Sequence, residues 1–183
     1  MIIRRMAAAL GAAGLLLLPA TAARADGPSD QDVEFLRAAH QSNLAEIAAG
    51  RIAFQKTTDP AVKKIAGNLM RDHIYMDADL TAIARSMRIS LPDAPTEEQQ
   101  ALARRYQIAG ADTFDEYFIS TQLAGHREVH EMAADQVANG SVEAVQDLAE
   151  KAVPVITRHQ QELRAAAAAE GMAGYVDAGG RTH

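Results

Sequence analysis

Apolar residues recur at helical spacing along most of the chain, and four long stretches carry that signal. The first begins near Ser29 or Asp30, either of which suits a helix N-cap, and its apolar arc runs through Val33, Leu36, Ala39, Ile47, Gly50 and Phe54. It ends near Thr57-Thr58, and Asp59-Pro60 then supplies an N-cap followed by proline at the first helical position. The second stretch has the cleanest periodicity. Val62, Leu69, His73, Met76, Leu80, Ile83 and Met87 fall on one seam, with steps of four and three from Leu69 onward, as in a bundled helix. It stops before Leu91-Pro92.

The third stretch starts near Asp112 or Thr113. It places Phe114, Phe118, Gly125, Val129 and Met132 on one face, with Ile119, His126, Ala133 and Val137 beside them. Asn139-Gly140 suits a left-handed stop. Ser141 is the expected cap of the fourth stretch, whose seam is Val142, Val145, Ala149, Ala152, Ile156, His159, Leu163 and Ala166. Pro154 should bend this helix, because its ring removes a backbone donor, and Gly171 should end it.

Turns of a few residues make consecutive helices antiparallel, so the pattern predicts two helical hairpins. Ser90 to Ala111 joins them and includes a short helix from about Thr96 to Ile108. That connection could run the length of a bundle or cap one end. No strand pattern of any length occurs. The expected fold is all-α: a four-helix bundle of two antiparallel hairpins with a partly helical connection.

The first 25 residues read differently. Arg4 and Arg5 precede an apolar run from Met6 to Leu18, Pro19 ends it, and Ala23-Arg24-Ala25 places small residues where a signal peptidase reads. This predicts a signal peptide at 1–25, cleaved after Ala25, and a periplasmic or secreted product. The run is short for a membrane span, which needs roughly 20 residues. The domain then covers 26–170, and 171–183 is a flexible C-terminal tail.

Composition narrows the chemistry. The chain of 183 residues carries a net charge of −6 and has no cysteine. Without Arg4, Arg5 and Arg24 it has 15 basic and 24 acidic residues, a net of −9. An acidic surface disfavours nucleic acid. Absent cysteine excludes disulfides, thiolate metal sites and a cysteine nucleophile. No Gly-x-Ser-x-Gly, phosphate-binding glycine loop or His-Glu-x-x-His occurs. After cleavage no stretch of spanning length remains, so stable membrane insertion is not expected. Partners would be a second copy of the chain or an envelope protein.

Histidines on apolar seams are the unusual feature. His73 and His159 occupy core positions, His126 lies at the edge of the third arc, and Glu46 lies within about 60° of the first arc's centre at Asn43. Counted from the hairpin turn near residue 58, Glu46 and His73 stand within about 5 Å in height. Counted from Gly140, His126 and His159 differ by roughly 7 Å. A di-iron carboxylate site needs Glu-x-x-His on two helices, and no histidine here has an acid three residues before it. Histidines with one carboxylate suit a single divalent transition metal such as zinc, copper or iron. Met76 could join a copper site, although core packing is the ordinary role of one methionine. His130, one turn beyond His126, could chelate the same metal or simply face water, and His40 lies on the other flank of the first arc. The alternative is that the buried histidines hydrogen-bond within a metal-free helical module.

Several motifs together resemble a known family. Asp32-Val-Glu-Phe-Leu36, Ser42-Asn-Leu-Ala-Glu-Ile47, Asp59-Pro-Ala-Val-Lys63, Met70-Arg-Asp-His73, Ala124-Gly-His126 and His159 are similar to a bacterial family of exported ferritin-like domains, domain of unknown function 4142. The resemblance spans about residues 30–168. It implies a ferritin-like bundle of the periplasm or cell envelope, with family positions at Glu46, His73, His126 and His159. The expectation is therefore a metal or envelope-stress protein without a settled activity, its metal held by those four residues, or else a metal-free stress or protein-interaction module. "Ferritin-like" describes a shape and does not imply iron storage or enzyme activity.

Overall fold

The computed structural model describes residues 27–172, so the expected signal peptide and nearly all of the expected tail lie outside the described residues. The described chain is all-helical. Its five helices are α1 (Asp30–Lys56), α2 (Pro60–Ser86), α3 (Glu97–Ile108), α4 (Ala111–Asn139) and α5 (Glu143–Ala169). Among the described residues no helix is long and apolar enough to cross a membrane.

Local sequence explains most helix starts. Ser29 caps α1 in a reciprocal box with Asp32, Asp59 caps α2 just before Pro60, and Thr96 caps α3 in a second box with Gln99. Three expectations need correction. The α4 helix starts at Ala111 after Gly110, with no side-chain cap. Ser141 does not cap α5, whose N-cap is Val142; its hydroxyl and amide donate to Asp32 instead. Nor is Gly140 left-handed: its φ is −62°. It is a glycine for lack of room, since a Cβ would lie 2.6 Å from the Gln136 carbonyl oxygen. Gly171 does adopt a left-handed φ of 71° after α5.

The long helices contact one another in a ring, α1 against α2, α2 against α5, α5 against α4 and α4 against α1. Contacts at both ends give the directions. The start of α1 meets the end of α4 through Gln31–Asp135 and Asp32–Gln136, whereas Lys56 at its end lies over the Phe114 ring. On the opposite side Asn68 bonds Glu162 and Asp72 bonds Arg158. Every neighbouring pair is therefore antiparallel. The connection from α2 to α4 consequently travels the full length of α1. Arg37 donates to Ser90, Gln41 to Ala94, and Lys56 to Gln107 and Ala109.

Gly50 sets the spacing of the first hairpin, because a Cβ there would sit 2.8 Å from the Ala66 carbonyl oxygen of α2. The buried arc of α1 is rotated from the expected one: Phe35, Ala49 and Ala53 are buried, while Phe54 is 45% exposed and lies under Lys63. The seams of α2 and α5 match their expected residues closely. Met172, expected in the tail, is buried against the core.

The core is divided. One apolar cluster contains Ala49, Leu69, Phe118, Leu123 and Leu163; the other contains Leu36, Leu80, Ala133 and Ile156. On each long helix the residues between the two clusters include a buried polar side chain: Asn43, His73, His126 and His159. Polar groups placed so deep need partners, and those partners define the site.

Candidate metal centre

His73 from α2, His126 from α4 and His159 from α5 each offer a ring nitrogen, and these nitrogens lie within 4.8 Å of one another. All three residues are buried, at 2%, 2% and 0% exposure. The outer nitrogen of each ring meets an oxygen that can only accept a hydrogen bond. His73 Nδ1 is 2.9 Å from Asn43 Oδ1, His126 Nδ1 is 2.9 Å from the Gln122 carbonyl, and His159 Nε2 is 3.0 Å from Asp72 Oδ2. The Asn43 amide is itself oriented by Asp77, which accepts from its nitrogen at 3.4 Å. Each outer nitrogen must then carry the hydrogen of a neutral imidazole, leaving the inner nitrogen a bare lone pair.

The inner nitrogens face one another. His126 Nε2 and His159 Nδ1 are 3.3 Å apart, and His73 Nε2 is buried with no hydrogen-bond partner. Two lone pairs at that distance repel unless a cation lies between them. Nitrogens held about 2.0 Å from one tetrahedral ion sit about 3.3 Å apart. Burial also keeps the rings uncharged. It is the first cause lowering the affinity of His73 for a proton, with the neighbouring histidines adding to it, and it brings His126 down to about 4. Burial lowers His159 too, against the opposing pull of Asp72. Neutral rings are the form that ligates metal.

The expected height mismatch between His126 and His159 disappears for a geometric reason. Helical side chains tilt toward their own N-terminus. His126 is thereby displaced away from the α4–α5 turn and His159 toward it, so the two rings approach.

Glu46 is not a member of this cluster of nitrogens. Its carboxyl faces the Gln122 amide, whose nitrogen, turned toward it, donates to Oε2 at 2.6 Å. Burial pushes the Glu46 carboxyl up to about 8, with the Gln122 hydrogen bond opposing. Glu46 is thus linked to the histidines through Gln122, whose backbone carbonyl holds His126. His40 is not part of the cluster; it pairs with Asp77 at 2.7 Å. His130 is not part of the cluster.

Asp72 is the residue that sequence reasoning left without a role. It is half-buried, anchored by Arg71 at 2.9 Å and Arg158 at 2.6 Å, and fixes the tautomer of a histidine 87 positions away. A carboxylate behind a ligating imidazole is a recurrent feature of metal sites. Its one signal in the sequence was its place beside His73 in Arg-Asp-His.

Fold and site define an all-helical protein with a buried cluster of three neutral histidines between two apolar cores. The chain matches the family model described as Domain of unknown function (DUF4142) over residues 17–166, and it belongs to that family. It is also similar to the crystal structure of a DUF305 fragment from Deinococcus radiodurans, with a TM-score of 0.66 at 13% identity, over 81% of this chain and 98% of that one. At that identity the likeness concerns the fold. No curated protein matches the chain.

Proposed function

We propose that this protein is an exported, ferritin-like four-helix bundle that binds one divalent transition-metal ion through His73, His126 and His159 and serves in metal or envelope stress. The observation that carries the metal reading is the set of three inner nitrogens, each left bare because an acceptor on the far side of its ring holds the hydrogen on the outer nitrogen. An imidazole donor set suits zinc, copper or mononuclear iron. Export rests on the pattern of residues 1–25, and the ferritin-like description on the antiparallel ring of helices with a long connection between α2 and α4. Glu46 is held by Gln122 outside the nitrogen cluster, so three histidine ligands leave a tetrahedral ion one open coordination position.

Metal content and calorimetry of the untagged protein test this reading. One zinc or copper ion per chain is expected, with a higher melting temperature when metal is added. His159→Ala should abolish both. Absence of metal uptake, with an unchanged melting temperature in excess metal, would overturn it in favour of a metal-free module.

A further inference from the structure

Two of the three histidine supports are acceptors by their chemistry. Behind His126 stands a backbone carbonyl and behind His159 a carboxylate. The support of His73 is different in kind. Asn43 carries a side-chain amide, which offers an oxygen acceptor at one end and an NH2 donor at the other. Turned round, that amide would donate to His73 Nδ1 and send the ring hydrogen to Nε2, the inner nitrogen. Nothing in Asn43 or His73 by itself chooses between the two states.

The choice falls to a second pair on the same two helices. His40 and Asn43 are three apart on α1, and His73 and Asp77 are four apart on α2, so each pair shares a helix face and the two meet across the hairpin. Asp77 Oδ1 lies 3.4 Å from Asn43 Nδ2 and 2.7 Å from His40 Nδ1. A carboxylate accepts and cannot donate, so it draws the NH2 end of Asn43 to itself and leaves the amide oxygen for His73. The His40 ring, its side chain only 12% exposed, donates to the same carboxylate oxygen and holds it in place. The state so imposed is costly without an ion. His73 Nε2 is buried with no partner, although the bare nitrogens of His126 and His159 lie within 4.8 Å and could receive a hydrogen if it carried one.

Deepening the metal reading above, on which its purpose rests, we infer that Asp77, braced by His40, is a positioning residue: through the Asn43 amide it holds the hydrogen of His73 on Nδ1 and keeps Nε2 open for the ion before any ion arrives. Histidine 15N shifts report which ring nitrogen bears hydrogen, and they do so in the metal-free protein. The parent should show the His73 hydrogen on Nδ1. Asp77→Asn keeps the shape of the side chain but can donate as well as accept, so the Asn43 amide is free to turn. In this variant the His73 hydrogen should move wholly or in part to Nε2. Its affinity for cobalt(II), titrated by the visible spectrum, should fall about 10- to 100-fold. Asp77→Ser, too short to hold Asn43, should do the same and serves if the first variant does not fold. A hydrogen on Nε2 in the metal-free parent, a hydrogen that stays on Nδ1 in the variant, or a variant with the parent's cobalt affinity would overturn the inference. Weaker cobalt binding with the hydrogen unmoved belongs to the second of these outcomes, since loss of a nearby negative charge would explain it. A parent that takes up no cobalt would overturn the metal reading, while the 15N shifts would still decide whether Asp77 sets the tautomer of His73.

Discussion

His126 Nε2 and His159 Nδ1 face each other across 3.3 Å, and each is the unprotonated nitrogen of its ring. The arrangement follows from what stands behind the rings: a backbone carbonyl for one and a carboxylate for the other. A proton shared between the two nitrogens would relieve the repulsion, but burial lowers the proton affinity of both. A metal ion relieves it without that difficulty.

Asp72→Asn tests the support behind His159. The amide oxygen can still accept from Nε2, but the charge that strengthens the imidazole as a ligand is lost, and so are the ion pairs with Arg71 and Arg158. Metal affinity should fall about 10- to 100-fold with the helical content unchanged, as calorimetry and circular dichroism would record. An affinity equal to the parent would show that Asp72 serves the surface only.

Glu46 makes stability fall with rising pH. Its folded-state value, about 8, lies above the ordinary 4.5. Between these values the unfolded chain releases a proton that the folded one retains, so unfolding becomes easier as pH climbs through that window. Glu46→Gln removes the effect and should keep an acceptor for Gln122. Denaturant melts at pH 4 and pH 9 should show a relative gain for the variant on the order of 3 kcal/mol at the higher pH. Parallel pH profiles for parent and variant would refute this.

Asp32 acts with the opposite sign. Burial pulls its carboxyl upward, but donors from Ser141, Ser29 and Gln136 outweigh it and hold the group far below its usual range. These bonds tie the start of α1 to the α4–α5 turn. The stability they contribute is present above the ordinary value of 3.8 and is lost as pH falls below it. Asp32→Ala should cost about 3 kcal/mol at pH 7 and progressively less in acid, measured by urea unfolding. A cost that does not change with pH would point to packing alone.

Gly50→Ala should destabilise the first hairpin despite the better helix propensity of alanine. The new methyl would meet backbone, the Ala66 carbonyl oxygen at 2.8 Å, together with the Met70 Cβ at 3.1 Å. Overpacking of this kind costs about 1–3 kcal/mol, against about 1 kcal/mol recovered from propensity. A melting temperature at or above the parent's would mean that α1 and α2 can separate freely.

The helices were legible in the sequence because their signals are local. Ser29, Asp59-Pro60 and Thr96 each act on backbone within a few residues, and a 3.6-residue period reports which side of a helix is covered whatever covers it. That period placed His73 and His159 inward and His126 at the edge of its helix's apolar arc. It could not show which nitrogen of each ring is bare, since that depends on Asn43, Gln122 and Asp72, and Asp72 meets His159 across 87 positions. Nor could it separate Glu46 from the cluster, because a helical angle gives the side of the rod and not the reach of the side chain. The course of the connection along α1, and the pairing of Asn43 with Asp77, arise from how four rods pack. Periodicity is written in neighbouring residues; the meeting of side chains from separate helices is decided by their relative height, tilt and spacing, which exist only once the helices are assembled.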